Sequence, residues 1–136
     1  MHTGRCLCGA VTYKIAADPI SARTCWCRLC QYIGAGGATV NVAFRTEAVT
    51  INGQLGDFSS DADSGSRMHR RFCTACGTHL FSEAESRPHL IFVRAGCLDD
   101  PEIARPVATI WTSQAPSWAC FDPDLPEVDG QPPPVA

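Results

Sequence analysis

The positions of the cysteines constrain this chain more than any other feature of its sequence. Seven of the nine fall into three short groups: Cys6 and Cys8, then Cys25, Cys27 and Cys30, then Cys73 and Cys76. Spacings of one or two residues let a single turn of backbone direct several sulfurs at one point, ~2.3 Å from each, as in zinc sites. Gly9 and Gly77 directly follow two of these groups and supply the backbone freedom that such turns require. The grouping therefore predicts metal binding rather than disulfides.

The expected compartment supports this interpretation. The amino-terminal residues lack the apolar segment of a secretory signal, and no stretch approaches the ~20 apolar residues of a membrane-spanning helix. We therefore expect a cytoplasmic protein without membrane association, and disulfides are rare in the reducing cytosol. The net charge of −3 provides no basic surface for nucleic acid. The sequence carries no signal for an oligomeric state.

The seven grouped cysteines divide most naturally into four and three. The four-cysteine cluster would be a closed, structural zinc site formed by Cys6, Cys8, Cys73 and Cys76. The three-cysteine cluster, Cys25, Cys27 and Cys30, is compact enough to hold a second zinc by itself. Three protein ligands leave one coordination position free, which is typical of catalytic zinc. Because three thiolates weaken the ion as an acid toward water, such a centre suits a soft ligand, and a substrate thiol is the obvious one.

An alternative for the three-cysteine cluster is a second structural zinc, completed by Cys97, Cys120 or a histidine. Cys97 and Cys120 are isolated in the sequence, so we interpret both as residues of the hydrophobic core. The four histidines have no ligand spacing to one another. His79, three residues after Cys76, is the best placed of them for a contact to a zinc thiolate.

Alternating apolar residues predict a mainly β domain of short strands, with the cysteines at turns. Eight strands are expected: Val11–Ile15, Ala38–Arg45, Ala48–Ile51, Gly56–Ser60, Arg67–Phe72, His79–Glu83, Leu90–Arg94 and Val107–Trp111. Asn52-Gly53 predicts a tight hairpin between two of these strands. A length of 136 residues favours one domain, which we place at residues 1–128. Residues 129–136 are rich in proline and are expected to form a disordered or extended tail.

Several motifs together resemble the glutathione-dependent formaldehyde-activating enzyme family, which also includes centromere protein V. They are Gly4-Arg5-Cys6-Leu7-Cys8-Gly9-Ala10-Val11, Cys25-Trp26-Cys27-Arg28-Leu29-Cys30, Arg71-Phe72-Cys73-Thr74-Ala75-Cys76-Gly77-Thr78, Gly96-Cys97-Leu98-Asp99-Asp100-Pro101, Trp118 and Leu125-Pro126. The resemblance covers nearly the whole chain. Trp26 and Gln31 depart from the family pattern, in which a polar residue and an arginine are common at these positions. Both departures flank the three-cysteine cluster in sequence.

The resemblance implies a β-tent fold, in which sheets of short antiparallel strands lean together around zinc. It implies that the four-cysteine cluster holds a structural zinc and that Cys25, Cys27 and Cys30 hold a catalytic one. The implied activity is that of a carbon–sulfur lyase written in reverse, in which glutathione, as co-substrate, adds to formaldehyde. The implied partners are therefore a small thiol and a small aldehyde.

Arg28, inside the three-cysteine cluster, is the candidate either to bind a carboxylate of the thiol co-substrate or to offset the charge of the thiolates, since guanidinium groups bind carboxylates with two parallel hydrogen bonds. Trp111 and Trp118 are candidates for a pocket wall. Two other functions remain open: a zinc-stabilised binding module in which both ions are structural, and a methionine sulfoxide reductase of the β-tent type. The latter needs a reactive cysteine in an Arg-x-Cys-x-Asn setting, which the sequence around Cys97 does not provide.

Overall fold

Short strands make up most of the regular structure, as the alternation of apolar residues predicts. The computed structural model of the protein describes residues 1–62 and 64–135. One short α-helix, α1, spans Arg28–Ile33. The strands are β1 (His2–Arg5), β2 (Thr12–Ile15), β3 (Ser21–Cys25), β4 (Thr39–Arg45), β5 (Val49–Asn52), β6 (Leu55–Asp61), β7 (Arg67–Cys73), β8 (His79–Ala84), β9 (Leu90–Arg94), β10 (Thr109–Ile110) and β11 (Glu127–Val128). Single 3₁₀ turns lie at Thr46–Ala48, Ala95–Cys97, Pro101–Ala104 and Thr112–Gln114.

The strands form two sheets. The smaller sheet has the order β1-β2-β5 and is antiparallel throughout. The larger sheet has eight strands in the order β11-β10-β3-β4-β9-β8-β7-β6. None of the helices in the described part of the chain has the length and apolar character needed to span a bilayer.

The main hydrophobic core combines apolar residues of both sheets. Tyr13 and Ile15 of β2 are fully buried together with Phe44 of β4, Phe81 of β8 and Val93 of β9. The rings of Tyr13 and Phe81 meet edge to face, with their centroids 5.1 Å apart. Burying side chains of this size stabilises a fold by about 1.5–3 kcal/mol each. The alternation that predicted β2 therefore marks the residues that hold the small sheet on the large one.

The face of the large sheet opposite the core carries a group of polar side chains. Residues directly opposite one another on paired strands share a face. Arg23 of β3 lies opposite Asn41 of β4, and Asn41 lies opposite Arg94 of β9. On the neighbouring strands, Arg70 of β7 lies opposite Ser82 of β8. A row of polar side chains thus crosses the sheet on the side away from the core.

Of two topological expectations, the antiparallel sheets are confirmed in part and the hairpin was wrong. β10 pairs with both β3 and β11 in parallel, so the large sheet is mixed rather than antiparallel. Parallel neighbours need a long crossover connection, and here six strands, β4 to β9, lie between β3 and β10 in the sequence. The turn at Asn52-Gly53 exists, with Gly53 at φ +115°, but it is not a hairpin. β5 pairs with β2 and β6 pairs with β7, so this turn carries the chain from one sheet to the other.

The eight predicted strands all overlap observed ones, although the last is reduced to the two residues of β10. Three strands were missed, because their sequences carry little apolar alternation. β1 contains Gly4, β3 has no large apolar residue, and β11 is only two residues long. The helix α1 was also missed, since six residues are too few for a helical period to be recognised.

Candidate metal centres and the cavity above the three-cysteine cluster

The four-cysteine cluster joins the turn after β1 to the turn after β7. The Sγ atoms of Cys6, Cys8, Cys73 and Cys76 all lie within 4.8 Å of one another. The Sγ of Cys8 lies 3.7 Å from that of Cys6 and 3.8 Å from that of Cys73. Four sulfurs held tetrahedrally at ~2.3 Å from one ion would be ~3.8 Å apart. The observed separations therefore fit a metal ion and are far too long for disulfides.

Backbone hydrogen bonds to the sulfurs support the same conclusion. The N–H groups of Ala75 and Cys76 both point at the Sγ of Cys73, at 3.4 Å, and the N–H of Val11 lies 3.3 Å from the Sγ of Cys6. Such donors stabilise a thiolate, which is the form that binds metal. Both turns also require glycine, since φ is +80° at Gly9 and +76° at Gly77.

Thr78 connects the two turns of this cluster. Its hydroxyl accepts a hydrogen bond from the N–H of Leu7 at 3.1 Å and lies 3.1 Å from the Sγ of Cys76. The bond between the Thr78 hydroxyl and Cys76 lowers the pKa of the Cys76 thiol to about 5. One small side chain thus holds the two turns together and favours the thiolate.

The three-cysteine cluster forms where β3 passes into α1. Cys25 is the last residue of β3, Cys27 caps the amino terminus of α1 by accepting from the N–H of Cys30 at 3.3 Å, and Cys30 lies in the first turn. Their three Sγ atoms lie within 4.8 Å of one another. This short strand-to-helix turn brings together the three thiols that the spacing predicted.

The three thiols of this cluster influence one another's pKa. Hydrogen bonds from Cys25 and then Cys27 lower the pKa of the Cys30 thiol, and the nearby charge of Arg94 acts in the same direction. Hydrogen bonding to Cys27 and Cys30 raises the pKa of the Cys25 thiol. The charge of Arg94 therefore favours deprotonation of Cys30.

Among the described residues, no fourth histidine, cysteine or carboxylate joins these three thiols. Cys97 is buried in the main core, where its Sγ lies 3.2 Å from the hydroxyl of Tyr13 and 3.0 Å from the carbonyl of Arg94. The core position expected for Cys97 is confirmed. The same expectation was wrong for Cys120, which is exposed on an irregular segment. A metal ion held by the three-cysteine cluster would therefore have an open position.

A cavity of about 180 Å³, here called the thiol cavity, lies over the three-cysteine cluster on the polar face of the large sheet. All three thiols line it, together with four arginines: Arg23, Arg70, Arg87 and Arg94. Sequence reasoning missed all four, because Arg23, Arg70 and Arg94 converge through strand register and Arg87 lies in the loop between β8 and β9. Trp111 also lines this cavity, as a pocket wall should, whereas Trp118 is 68% exposed and stacks edge to face on Trp26.

The arginines lie close enough to influence one another. Burial lowers the pKa of Arg94; the charge of Cys30 opposes this change and the charge of Arg70 adds to it. Burial likewise lowers the pKa of Arg23, and the charge of Arg87 adds to the effect. Two pairs of like charges therefore face the same cavity.

Arg28, predicted from the sequence to bind the co-substrate, occupies a different place. It is exposed, donates a 2.6 Å hydrogen bond to the Oε1 of Gln31 and lies over the ring of Tyr32 at 5.2 Å. It does not line the thiol cavity. The four cavity arginines are thus better placed than Arg28 to meet a ligand above the thiols.

The two departures from the family pattern also lie away from this cavity. Trp26 is buried against Trp118 and Phe121 and lines a second cavity, of about 550 Å³. Gln31 is buried, and its amide donates to the carbonyls of Trp26 at 2.7 Å and Gln114 at 3.0 Å. Both residues support the loop around the cluster.

His79 makes no hydrogen bond to a cysteine in the described part of the chain. Its ring stacks on Phe72 with the centroids 5.7 Å apart, and its Nδ1 is buried without a partner. Burial lowers its pKa, and the charges of Arg94 and Arg70 lower it further. The predicted contact between His79 and a thiolate is therefore absent from the described structure.

Residues of the carboxyl-terminal segment line the thiol cavity. After β11, the Oε1 of Gln131 accepts from the Nε1 of Trp111 at 3.0 Å, and the carbonyl of Pro133 accepts from Arg23 at 3.4 Å. Pro134 and Val135 line the cavity. Ala136, the last residue of the predicted tail, lies outside the described residues. Residues 130–135 are thus held on the protein by polar contacts.

These features define a mainly β protein with two thiol clusters that could hold metal, one of them beneath a cation-lined cavity. The sequence model described as glutathione-dependent formaldehyde-activating enzyme matches residues 1–114, and the chain belongs to this family. The family predicted from the cysteine motifs is therefore confirmed, and with it an enzyme-like role that involves a thiol and an aldehyde. The match includes all seven grouped cysteines and the four cavity arginines but ends before the carboxyl-terminal segment.

A solved structure supports the fold. A crystal structure of a Rhodobacter sphaeroides protein, determined in a structural genomics effort, is similar to this chain with a TM-score of 0.55 and 22% identity. The similarity covers 71% of this chain and 87% of that one. At this level of identity the comparison concerns the fold alone.

Proposed function

We propose that this protein is a zinc-dependent carbon–sulfur lyase-like enzyme that adds a thiol to formaldehyde or another small aldehyde, or catalyses the reverse reaction. Glutathione is the thiol that family membership favours. In the forward direction the S–H group adds across the carbonyl, so that a C–S bond forms and the carbonyl oxygen gains the proton. We further propose that the enzyme acts in the cytoplasm, where thiols remain reduced.

The observation that carries the proposal is the position of Cys25, Cys27 and Cys30 at one wall of a cavity, with no fourth protein ligand among the described residues. A zinc ion bound there would keep these thiols deprotonated and offer one position to a soft ligand. The four-cysteine cluster fits a second, structural zinc, because its sulfur separations match tetrahedral coordination. We therefore expect two zinc ions per chain.

The other side chains that line the thiol cavity would stabilise the thiolates and hold the reactants. Arg94 places a positive charge beside Cys30, which favours negative charge on the sulfurs. Trp111 and Pro134 line the cavity and would limit the access of water to bound reactants. Since thiols and aldehydes combine readily, holding the two reactants together would be the main contribution to the rate.

The test is a titration of small thiols into cobalt-substituted protein, followed through the absorption bands of the metal. Glutathione and neutral thiols should perturb the bands of the ion at the three-cysteine cluster and leave those of the four-cysteine cluster unchanged. Cys30→Ser should abolish the response, and Cys120→Ser, at an exposed position outside both clusters, should retain it. If no thiol perturbs either metal at millimolar concentration, the enzyme proposal fails. A binding module with two structural metals then becomes the better description.

A further inference from the structure

The second cavity, which Trp26 lines, lies on the opposite side of the large sheet from the thiol cavity. Thr24 of β3 lies opposite Val40 of β4 and Thr109 of β10, and all three residues line the second cavity. Side chains alternate along a strand, so Thr24 faces away from Cys25, which lines the thiol cavity. The volume of about 550 Å³ lies within the range of roughly 300–1,000 Å³ that is typical of small-molecule sites. The second cavity is therefore separate from the three-cysteine cluster and large enough for a ligand.

One wall of the second cavity is aromatic. Trp26 is 7% exposed, and its ring lies 6.1 Å from that of Phe121, centroid to centroid, with the two planes tilted by 58°. Both residues line the cavity. Aromatic surfaces of this kind bind flat rings by offset or edge-to-face stacking. Trp26 is also a position at which this chain departs from the family pattern, so this wall is a feature of this chain rather than of the family as a whole.

Two polar groups on residues that line the second cavity have no partner in the described part of the chain. The Nε1 of Trp26 is buried and donates to no acceptor there. Thr109 is 2% exposed, and its hydroxyl forms no hydrogen bond with any described residue. A buried donor that lacks an acceptor is unfavourable, and native proteins satisfy most such groups. A ligand with a hydrogen-bond acceptor would supply the partner that the described residues do not.

The interior of the second cavity is uncharged. Its charged lining residues, Glu102, Arg105 and Asp122, are all exposed, so they lie at the rim and remain hydrated. Every described lining residue that is buried or half-buried is uncharged. An ionic group that entered this interior would lose its hydration without gaining a counter-ion, which costs considerable free energy. The lining therefore favours an uncharged ligand.

We propose that the second cavity is a binding site for a small, uncharged aromatic carbonyl compound, and that the indole N–H of Trp26 and the hydroxyl of Thr109 select it. The ring of the ligand stacks on the aromatic wall formed by Trp26 and Phe121. A carbonyl oxygen suits two donors, because it has two lone pairs. This site goes beyond the proposed function and does not depend on it, since neither a metal ion nor the thiol cavity takes part.

The test uses three compounds that share one bicyclic frame. 1-Indanone carries a carbonyl, indane lacks it, and 1-aminoindane carries an ammonium group at the same position. Each is titrated into the zinc-loaded, ¹⁵N-labelled full chain, and the indole N–H signals of its three tryptophans are followed by NMR. 1-Indanone should move the Trp26 signal downfield in a saturable way, as hydrogen bonding does, whereas indane should not. A Trp26 signal that does not respond to 1-indanone at millimolar concentration, or tighter binding of 1-aminoindane than of 1-indanone, would overturn the proposal.

Variants test the two donors separately by calorimetry. The affinity for 1-indanone relative to indane should fall roughly tenfold in Trp26→Phe, which keeps an aromatic ring but removes the N–H, and by a similar factor in Thr109→Val. Thr12→Val is the matched control, because Thr12 is exposed on β2 and does not line the cavity. A relative affinity in either cavity variant equal to that of the control would contradict the proposal. If Trp26→Phe does not fold, Trp111→Phe and Trp118→Phe assign the Trp26 signal by elimination, and Thr109→Val still tests the site.

Discussion

Replacing one ligand of each cysteine cluster should reveal how differently the two clusters support the fold. If the four-cysteine cluster holds metal, Cys76→Ser disables a crosslink between the turn after β1 and the turn after β7, where the neighbouring thiols of Cys8 and Cys73 are 65 residues apart. If the three-cysteine cluster holds metal, Cys30→Ser disables a crosslink confined to one strand-to-helix turn, from Cys25 to Cys30. The binding free energy of a structural metal contributes to the free energy of folding. The number of residues that each crosslink spans therefore determines how much stability its loss should cost.

The loop-closure entropy gives the magnitudes. Closing a loop of 65 residues removes about 4 kcal/mol of chain entropy from the unfolded state, and closing one of roughly six residues removes about 2 kcal/mol. For a domain of this size, each kcal/mol corresponds to about 4 °C in melting temperature. We therefore expect Cys76→Ser to lower the melting temperature by about 16 °C and Cys30→Ser by no more than about 8 °C.

The assay is thermal unfolding by circular dichroism, with the zinc content of each sample measured in parallel. Cys120→Ser is the control, since Cys120 is exposed and belongs to neither cluster. Each cluster variant should contain one zinc ion fewer than the control. Equal losses of melting temperature in the two variants would refute the assignment of one structural and one open site. A Cys76→Ser protein with full zinc content and unchanged stability would refute metal binding at the four-cysteine cluster.

Three further predictions concern other parts of the molecule. Hydrogen bonds to Asp57 and then Glu85, at 2.8 and 2.7 Å, raise the pKa of His69. The stability lost in His69→Gln should therefore be greatest below about pH 6.5 and disappear as the pH rises through the raised pKa of His69 in the folded protein. Equal losses of unfolding free energy in urea denaturation below pH 6.5 and above this pKa would show that the charge of His69 does not stabilise the fold. Gln31→Ala should cost about 2 kcal/mol in the same assay, because two backbone carbonyls lose their donor, and a loss below ~0.5 kcal/mol would argue against this. Deleting residues 130–136 should speed the binding of bulky thiols to cobalt-substituted protein in stopped-flow measurements, because this segment lines the cavity; an unchanged rate would show that it does not restrict entry.

The cysteine clusters could be predicted because their chemistry is local. Spacings such as that of Cys73 and Cys76 place two sulfurs on one turn, whatever surrounds the turn. Alternation in β2 similarly marked Tyr13 and Ile15 as core residues, because a period of two leaves little choice of face. The proximity of distant turns, such as those of Cys6 and Cys73, depends on the complete fold. It could still be predicted, because both turns carry cysteine pairs with the spacing of metal ligands.

The arginines of the thiol cavity could not be predicted in this way. Arg23, Asn41 and Arg94 become neighbours only through the registers of β3, β4 and β9, and register is a property of the assembled sheet. Proximity in sequence favoured Arg28 instead, but the first turn of α1 directs that side chain toward Gln31 and Tyr32. The position of the segment after β11 could not be predicted either, since its contacts depend on where the fold places Trp111.

The two clusters also differ in how much of the chain must exist before each can form. Every thiol of the three-cysteine cluster is available once residue 30 has been synthesised, whereas Cys6 and Cys8 remain without partners until Cys76 has followed. On the ribosome, a metal ion that bound before β7 had formed would therefore meet five thiols, namely the three of the complete cluster and the unpartnered Cys6 and Cys8. Only the synthesis of Cys73 and Cys76 completes the four-cysteine cluster and divides the thiols into two sets of ligands.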